Sequence, residues 1–221
     1  MLRGLFVTAT DTNVGKTVTC AALLHRYRQS VPLCYWKPIQ TGIEQDDDTA
    51  EVRRLADCSE SEILDEGIRL PRPVSPHLAA RLSEQTIEIG DLTGMLHSRG
   101  GAERWIVEGA GGALVPLNDN SLMTDLMQAL ALPVLIVARA GLGTINHTLL
   151  TLEALRARSL CVAGVVMVGD KNPENRDAIE HYGHVAVLGE MPLWNPLDTA
   201  PLAKLAATEL DLQGRLLGLL Q

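Results

Sequence analysis

The sequence TATDTNVGKT at residues 8–17 lies between an apolar run, LFV at 5–7, and a helical pattern that starts at Val18. Its last three residues, Gly15, Lys16 and Thr17, are those that end a P-loop. In a P-loop, backbone N–H groups and the positive end of the following helix hold a phosphate. The lysine reaches the β- and γ-phosphates, and the threonine hydroxyl binds Mg²⁺. The stretch therefore predicts a phosphate site after the first strand.

The match to a P-loop is imperfect. A standard loop has a glycine five residues before Gly15, where this chain has Thr10, and the nearest small residue is Ala9. The alternative interpretation is a turn of small residues between a strand and a helix. The order of strand, loop and helix favours the phosphate site.

Composition restricts the functions that the chain can have. Its 221 residues are enough to bury a core as one domain, which we place at residues 1–221. A net charge of −8 argues against non-specific binding to nucleic acid. The four cysteines have no metal-site spacing, no targeting segment is recognised, and no apolar run is long enough to span a bilayer. We therefore expect a cytoplasmic protein with no membrane or nucleic-acid partner.

Short apolar runs alternate with amphipathic segments, which is typical of a parallel sheet flanked by helices. Strands are predicted at 4–9, 33–37, 104–108, 133–138, 163–168 and 184–188. Helices are predicted at 15–29, 48–56, 76–83, 87–98, 122–131, 144–158, 173–182 and 199–207. The predicted fold class is α/β, a three-layer P-loop NTPase fold with a mostly parallel central sheet. Ligands of such sheets bind beyond the carboxyl ends of the strands, so polar residues at those ends are candidates for the site.

A lysine ends the second predicted strand. In the sequence LCYWKPIQTG at 33–42, Lys37 follows the strand, and Thr41 and Gly42 open a predicted loop. Lys37 is expected at the same sheet edge as Lys16. Two cations there would stabilise the charge that develops during phosphoryl transfer. The alternative is an exposed lysine at a strand end.

Two acidic segments are candidates for binding Mg²⁺. Glu108 ends the predicted strand at 104–108 and precedes the glycine-rich sequence GAGG, and a carboxylate there is the usual second Mg²⁺ partner in P-loop proteins. A capping glutamate beside a tight turn is the alternative. The aspartates at 46–48 open a helix, and at least two of them would serve only as caps. Spacing alone does not choose among them, and helix geometry favours Asp48.

A second helix start follows a later strand. The sequence AGLGTINH at 140–147 leads into the predicted helix at 144–158. Its free N–H groups would suit a carboxylate ligand. The alternative is an ordinary helix start preceded by glycines.

Together these segments resemble the dethiobiotin synthetase family. The resemblance rests on residues 8–17, 37–42, 48–49, 75–77, 107–112, 141–147 and 188–192, which occur in the family's order along nearly the whole chain. It implies a homodimeric P-loop enzyme whose active site lies near the subunit interface. Such an enzyme uses ATP, CO₂ and Mg²⁺ to close a ureido ring on 7,8-diaminononanoate through a carbamate and a carbamic-phosphoric anhydride.

The resemblance also implies roles for individual residues. Lys37 would be the principal catalytic residue with Lys16, and Thr17, Asp48 and Glu108 would hold Mg²⁺. The nucleotide would be bound by Asn13, Val14, Gly15, Lys16, Thr17, Val18, Asp48, Glu108, Gly109, Ala110, Gly111, Pro192, Leu193 and Trp194. The diamine or its carbamate would be bound by Thr12, Lys37, Thr41 and Gly111, and its carboxylate by Gly141, Leu142, Gly143 and Asn146 of the neighbouring subunit.

The chain departs from the family pattern where the nucleotide base is read. The family usually ends the strand after Gly164 with an asparagine that reads adenine, and this chain has Val168 and Gly169 at that point. Asp170 and Asn172 are the alternatives for this role. The preferred base is therefore left open.

Other functions account for parts of the pattern. A partitioning or cell-division ATPase would carry a second lysine early in the loop, where this chain has Asp11. An amide-forming synthetase of the cobyrinic acid type would need a glutaminase domain, for which the chain has no room. A non-catalytic nucleotide-binding regulator would need neither the two lysines nor the two candidate metal carboxylates.

Overall fold

The computed structural model describes residues 2–97, 104–193 and 197–221. Within these ranges the strands are β1 (Gly4–Ala9), β2 (Leu33–Trp36), β3 (Ile39–Thr41), β4 (Ile63–Leu64), β5 (Ile68–Leu70), β6 (Arg104–Gly112), β7 (Val134–Arg139), β8 (Val162–Val168) and β9 (Val187–Met191). The α-helices are α1 (Lys16–Tyr27), α2 (Asp48–Ala56), α3 (Pro76–Leu82), α4 (Ile89–His97), α5 (Met123–Leu130), α6 (Thr144–Arg156), α7 (Pro173–Gly183), α8 (Thr199–Glu209) and α9 (Arg215–Leu220).

The strands form a seven-stranded sheet in the order β4-β2-β6-β1-β7-β8-β9. Neighbouring strands of this sheet pair in parallel. The first strand therefore lies at the centre, between β6 and β7, and the loop that follows it opens in the middle of one sheet edge. The predicted α/β class with a mostly parallel sheet is confirmed.

Each face of the sheet buries its own apolar cluster, because side chains alternate along a strand. In β1, Leu5 and Val7 belong to the cluster that includes buried residues of α1, α2, α8 and α9. Phe6 belongs to the opposite cluster, with buried residues of α3 to α7. Helices on both faces leave the carboxyl edge of the sheet as the place for a polar site.

The strand predicted at 104–108 is longer than expected, and Glu108 lies inside it. β6 continues to Gly112, which pairs with Ala9 after an irregularity in the β1 ladder. Small residues make this close passage possible. A Cβ atom at Gly109 would lie only 2.9 Å from the ring of Phe6.

Other differences concern short elements. The segment expected to open a loop at Thr41 instead contains β3, which pairs in parallel with β5 as a separate two-stranded sheet. Strand β4 and helix α9 were also not predicted. The last strand is β9 at Val187–Met191 rather than 184–188, because His184 ends α7 in a left-handed conformation with φ 45°.

Both edge strands of the main sheet have little free backbone for pairing with another strand. β4 has two residues, and β9 is bridged by an antiparallel contact between Gly189 and Leu210. Next to this bridge, buried Asp211 accepts hydrogen bonds from the N–H groups of Arg215 and Leu216, and the hydroxyl of Tyr27 donates to its carboxylate. These contacts fix the start of α9 against α1. Within the described ranges, the helices are too short or too polar to cross a bilayer.

Candidate active site

Two left-handed residues shape the loop between β1 and α1. Asn13 has a φ of 54° and Gly15 a φ of 101°, conformations that asparagine and glycine adopt most readily. Val168, at the end of β8, packs under the loop, and a Cβ atom at Gly15 would lie 3.1 Å from its Cγ1. In the described part of the chain, no side chain caps the start of α1. Its first N–H groups are therefore available to an anion.

Lys16 begins α1 and is 8% exposed. Its Nζ donates to the carbonyl oxygen of Asp11 at 3.4 Å. Burial and, next, repulsion by Lys37 lower the pKa of Lys16. Its buried charge would be stabilised by an anionic ligand in the loop.

Thr17 brings together two carboxylates that are far apart in sequence. Its Oγ1 lies 2.9 Å from Asp48 Oδ1 and 3.1 Å from Glu108 Oε1. Asp48 begins α2, and Glu108 lies in β6 with no exposed surface. A hydroxyl and two carboxylates therefore converge directly behind the P-loop lysine.

Lys37 joins the same cluster from the end of β2. The ladder between β2 and β6 pairs Trp36 with Val107, so Lys37 comes beside Glu108. Its Nζ lies 2.6 Å from Asp48 Oδ2 and 2.8 Å from Glu108 Oε1, and it also donates to the carbonyl oxygen of Gly109 at 3.2 Å.

The electrostatics of this pairing favour charged forms. Burial opposes the ammonium of Lys37, but Glu108 and Asp48 outweigh it and raise the pKa of Lys37. Burial also opposes the carboxylate of Asp48, but Lys37 and the hydroxyl of Thr17 lower the pKa of Asp48. The lysine is only 3% exposed, so water screens these interactions weakly.

The oxygens of Thr17, Asp48 and Glu108 suit Mg²⁺, which prefers hard oxygen ligands. Both carboxylates already contact the ammonium of Lys37, so the site stabilises a positive charge. In the described part of the chain, no group of three or more His, Cys, Asp and Glu side chains could hold a metal. When Mg²⁺ also binds substrate phosphates, the protein usually supplies only a few of its ligands, and two carboxylates and a hydroxyl fit that pattern.

The three aspartates before α2 differ in their contacts. The side chain of Asp47 accepts from the N–H of Ala50 and caps the helix. Asp46 is exposed, and its carbonyl oxygen accepts from Gln40 Nε2. Asp48 has the contacts with Thr17 and Lys37 described above.

The glycine-rich end of β6 approaches the cluster through its backbone. Gly109 contributes the carbonyl oxygen that accepts from Lys37. Ala110 is buried, and Gly111 adopts a left-handed φ of 68° with a Cβ position 2.8 Å from Val115 Cγ2. A larger residue at Gly111 would therefore disturb both the turn and its packing.

The residues predicted to bind the diamine lie at different places around this edge. Thr12 is exposed beside Asp11, and Thr41 is half-buried at the end of β3. Gly141, Leu142, Gly143 and Asn146 are exposed at the start of α6, after β7. Among the described residues, no hydrogen bond joins this segment directly to the cluster of Thr17, Lys37, Asp48 and Glu108.

Arg139 links the end of β7 to the P-loop. Its Nη2 lies 2.8 Å from Asp11 Oδ2, and the other carboxylate oxygen of Asp11 accepts from the N–H of Thr12 at 2.8 Å. The carbonyl oxygen of Asp11 also receives the hydrogen bond from Lys16. Asp11 therefore connects the P-loop with the strand that carries the exposed α6 start.

The candidate base site lies beyond β8 and β9. Pro192 is half-buried and Leu193 is 76% exposed, whereas Trp194 lies outside the described residues. Val168 is buried against Gly15, and the side-chain oxygen of Asn172 caps α7 by accepting from Asn175 N. Asp170 is exposed. Among the described residues, neither Asp170 nor Asn172 is therefore an obvious equivalent of the family's asparagine.

Sequence reasoning missed Tyr35, whose hydroxyl donates to Glu108 Oε2 at 2.9 Å. It also missed the ion pair of Asp11 with Arg139. A signal existed for Tyr35, because it stands two residues before Lys37 and therefore on the same face of an extended chain. A buried aromatic residue in a strand nevertheless looks the same as ordinary core.

Comparison with known proteins agrees with the P-loop architecture and identifies relatives. A family model described as an AAA domain matches residues 3–200. An ATP-dependent dethiobiotin synthetase from Paramagnetospirillum magneticum is 48% identical over 205 residues, which are 93% of this chain and 94% of the relative. One from Brucella ovis is 45% identical over 198 residues, 90% of each chain.

Solved structures with the same fold are more distant. A putative plasmid partition protein from Borrelia burgdorferi bound to AMPPNP has a TM-score of 0.60 at 13% identity, covering 99% of this chain and 97% of its own. A ParA family ATPase from Chlorobium tepidum has a TM-score of 0.55 at 11% identity, covering 99% and 90%.

These likenesses show the fold alone, since the identities are low. The relatives at 45–48% identity are synthetases, so a partitioning function is not favoured. Their similarity extends over at least nine-tenths of the chain, and the family model at residues 3–200 spans the P-loop, Lys37, Asp48 and Glu108. The chain belongs to the dethiobiotin synthetase family of ATP-dependent ligases.

Proposed function

We propose that this enzyme forms dethiobiotin from 7,8-diaminononanoate, CO₂ and ATP. One observation carries the proposal: Lys37 lies buried between Asp48 and Glu108, directly behind the P-loop. The names of the relatives support the same reaction. A buried lysine beside a phosphate loop suits the transfer of a phosphoryl group to a weak nucleophile.

The proposed reaction has three steps. An amine nitrogen of the diamine forms a bond to the carbon of CO₂ and loses a proton, which gives a carbamate. A carbamate oxygen then bonds to the γ-phosphorus of ATP while the bond to the ADP oxygen breaks. Finally, the second amine attacks the carbonyl carbon of the mixed anhydride, loses a proton and expels phosphate, which closes the ureido ring.

The two lysines have separate roles in this proposal. Lys37 stays an ammonium because of its carboxylate partners, and it orients the carbamate oxygen toward the phosphorus and offsets the developing negative charge. Lys16, together with the backbone of residues 13–18, holds the β- and γ-phosphates. A carbamate oxygen needs to be positioned rather than deprotonated by a strong base.

Thr17, Asp48 and Glu108 would hold Mg²⁺, which neutralises phosphate charge when it is bound. The protein's own contribution is to keep these three oxygens together from α1, α2 and β6. Mg²⁺ on these carboxylates would weaken their hold on the ammonium of Lys37, which would then be available to the carbamate and the γ-phosphate.

The diamine would contact Thr12, Thr41 and Gly111 in the same subunit. Its carboxylate would bind at the open start of α6, at Gly141, Leu142, Gly143 and Asn146, from a second subunit of a homodimer. The exposure of Leu142, whose side chain is fully accessible, supports a partner at this place. Sedimentation of the chain should give twice its mass of 23.9 kDa, and a monomer at all working concentrations would contradict the homodimer.

Pro192, Leu193 and Trp194 would border the base. Because the side-chain oxygen of Asn172 is used as a helix cap, we expect backbone groups to contact the base and selection among nucleoside triphosphates to be loose. The enzyme would work in the cytoplasm. Its four cysteines all lie in the described ranges and form no disulfide there, which suits a reducing compartment.

The proposed activity is tested by phosphate release. The protein is incubated with diaminononanoate, bicarbonate, Mg²⁺ and one nucleoside triphosphate at a time. We expect release that requires both the diamine and bicarbonate, with dethiobiotin formed in equal amount. Release that is independent of the diamine would point instead to a regulatory ATPase and would contradict the proposal.

A further inference from the structure

We propose that Tyr35 is a positioning residue that fixes the carboxylate of Glu108 for cation binding. The inference rests on the proposed function, in which Glu108 helps to hold Mg²⁺. It adds a residue outside the ligand set, and this residue acts only through Glu108.

The geometry divides the two oxygens of Glu108 between different partners. Oε1 contacts Lys37 and Thr17, on the side of the P-loop. Oε2 accepts from the hydroxyl of Tyr35 at 2.9 Å, on the side of the sheet core. Tyr35 and Glu108 are both completely buried.

This division follows from the sheet register. Tyr35 of β2 pairs with Ile106 of β6, so Glu108, two residues further along, lies on the same face. Tyr35 belongs to the apolar cluster that contains Ile106 and most buried residues of α1. Packing therefore holds the ring, and the ring holds its hydroxyl beside the carboxylate.

A buried carboxylate oxygen without a donor is costly, so the loss of the Tyr35 hydroxyl would not leave Glu108 unchanged. The buried thiol of Cys20 also interacts with Glu108. A thiol is a weak donor. Without the Tyr35 hydroxyl, rotation of the Glu108 carboxylate would let Oε2 find hydrogen-bond donors at Lys37 and Thr17. The carboxylate would then leave the orientation in which only Oε1 faces the P-loop.

A phenol is suited to this task because it donates without adding charge. The hydroxyl of Tyr35 donates to Oε2 of Glu108 as a neutral group. A lysine or arginine in its place would cancel the charge of Glu108. Both oxygens of Glu108 are therefore paired without a second cation on the side of the sheet core.

Tyr35→Phe tests the inference, because it removes only the hydroxyl. Calorimetry measures the affinity of the enzyme for AMPPNP, once with saturating Mn²⁺ and once with EDTA. The affinity with Mn²⁺ divided by the affinity with EDTA, called the Mn²⁺ ratio, reports how much the bound cation strengthens nucleotide binding. We expect the substitution to reduce this ratio about 10-fold. The affinity in EDTA and the KM for the diamine should stay within about 2-fold.

Tyr27→Phe is a matched control, since Tyr27 is also a buried phenol that donates to a buried carboxylate, that of Asp211. Both variants should lose some stability, measured as the urea midpoint. Only Tyr35→Phe should change the Mn²⁺ ratio. An equal change in Tyr27→Phe would overturn the inference, because the effect would then be general.

Glu108→Gln distinguishes the proposed metal role of Glu108 from the positioning role of Tyr35. If this variant keeps the full Mn²⁺ ratio, Glu108 does not support the cation, and both the proposed metal role and the inference fail. If Glu108→Gln loses the ratio while Tyr35→Phe keeps it, the metal role stands and the inference about Tyr35 alone is overturned.

Discussion

Lys37→Met is expected to reduce turnover by at least about 10³-fold, the scale on which single charge-stabilising groups act in phosphoryl and acyl transfer. The side chain of Met is of similar length but carries no charge. The carbamate would lose the cation that orients it, and the transition state would lose charge compensation. The P-loop and Lys16 are unchanged, so the affinity for AMPPNP should stay within about 10-fold.

The same substitution has a cost in stability that must be measured alongside. It leaves Asp48 and Glu108 without the ammonium that lies 2.6 and 2.8 Å from them. Breaking a buried ion pair in this way costs about 3–5 kcal/mol. Calorimetric AMPPNP binding therefore serves as the proof that the variant is folded.

Lys204→Met is the matched control, because Lys204 is an exposed lysine of α8 away from the site. It should keep turnover, affinity and stability. Near-normal turnover in Lys37→Met would show that the buried lysine is structural and that the catalytic role proposed for it is wrong.

Asp48→Asn is expected to reduce turnover by about 10²-fold or more at low Mg²⁺ and to raise the Mg²⁺ concentration required for half-maximal rate. Loss of one of two carboxylates weakens a cation site at least as much as the loss of a supporting residue, which costs 10- to 100-fold. Lys37 also loses a partner. Steady-state rates over a Mg²⁺ titration measure both effects.

The substitution should also change the response of stability to acid. Burial opposes the ionised form of Asp48, but Lys37 and Thr17 outweigh it, so the folded pKa is lowered. The ionised group therefore stabilises the fold above about pH 4, and this contribution disappears as the pH falls through the lowered pKa. Between pH 5 and pH 2, the urea-unfolding free energy of Asp48→Asn should fall less steeply than that of the unaltered chain.

Asp47→Asn is the control for both readouts. Its side chain caps α2, and asparagine caps a helix about as well as aspartate. Rates and Mg²⁺ dependence should be unchanged. If Asp47→Asn impairs the Mg²⁺ response as much as Asp48→Asn, the assignment of the carboxylate is wrong.

Much of the fold could be predicted because its elements are long and their patterns are regular. Strand β1, the P-loop and α1 follow from an apolar run, the residues Gly15-Lys16-Thr17 and a helical pattern. The short elements could not be predicted in this way. β3 and β5 have three residues each and depend on pairing with one another across 29 positions, a tertiary contact without a local signal.

The site was predictable to the extent that sheet topology collects strand ends. Lys37 directly follows β2 and Glu108 lies in the neighbouring strand β6, so a parallel sheet is enough to predict that they are close. Predicting the contact of Tyr35 with Glu108 also requires the register of β2 against β6, which cannot be read from the sequence. Selection of the base and capture of the diamine depend on groups that meet only around a ligand, so these roles stay predictions.

The two limited edges of the central sheet bear on how copies of the chain can meet. An unpaired edge strand exposes N–H and C=O groups that invite another chain to extend the sheet, a common route to aggregation. Here one edge strand is two residues long, and the other already exchanges a backbone contact between Gly189 and Leu210. In the proposed homodimer, the second subunit would therefore meet helical surfaces rather than a sheet edge. A variant that disturbs the segment around Leu210 would be expected to expose β9 and promote aggregation instead of dimerisation.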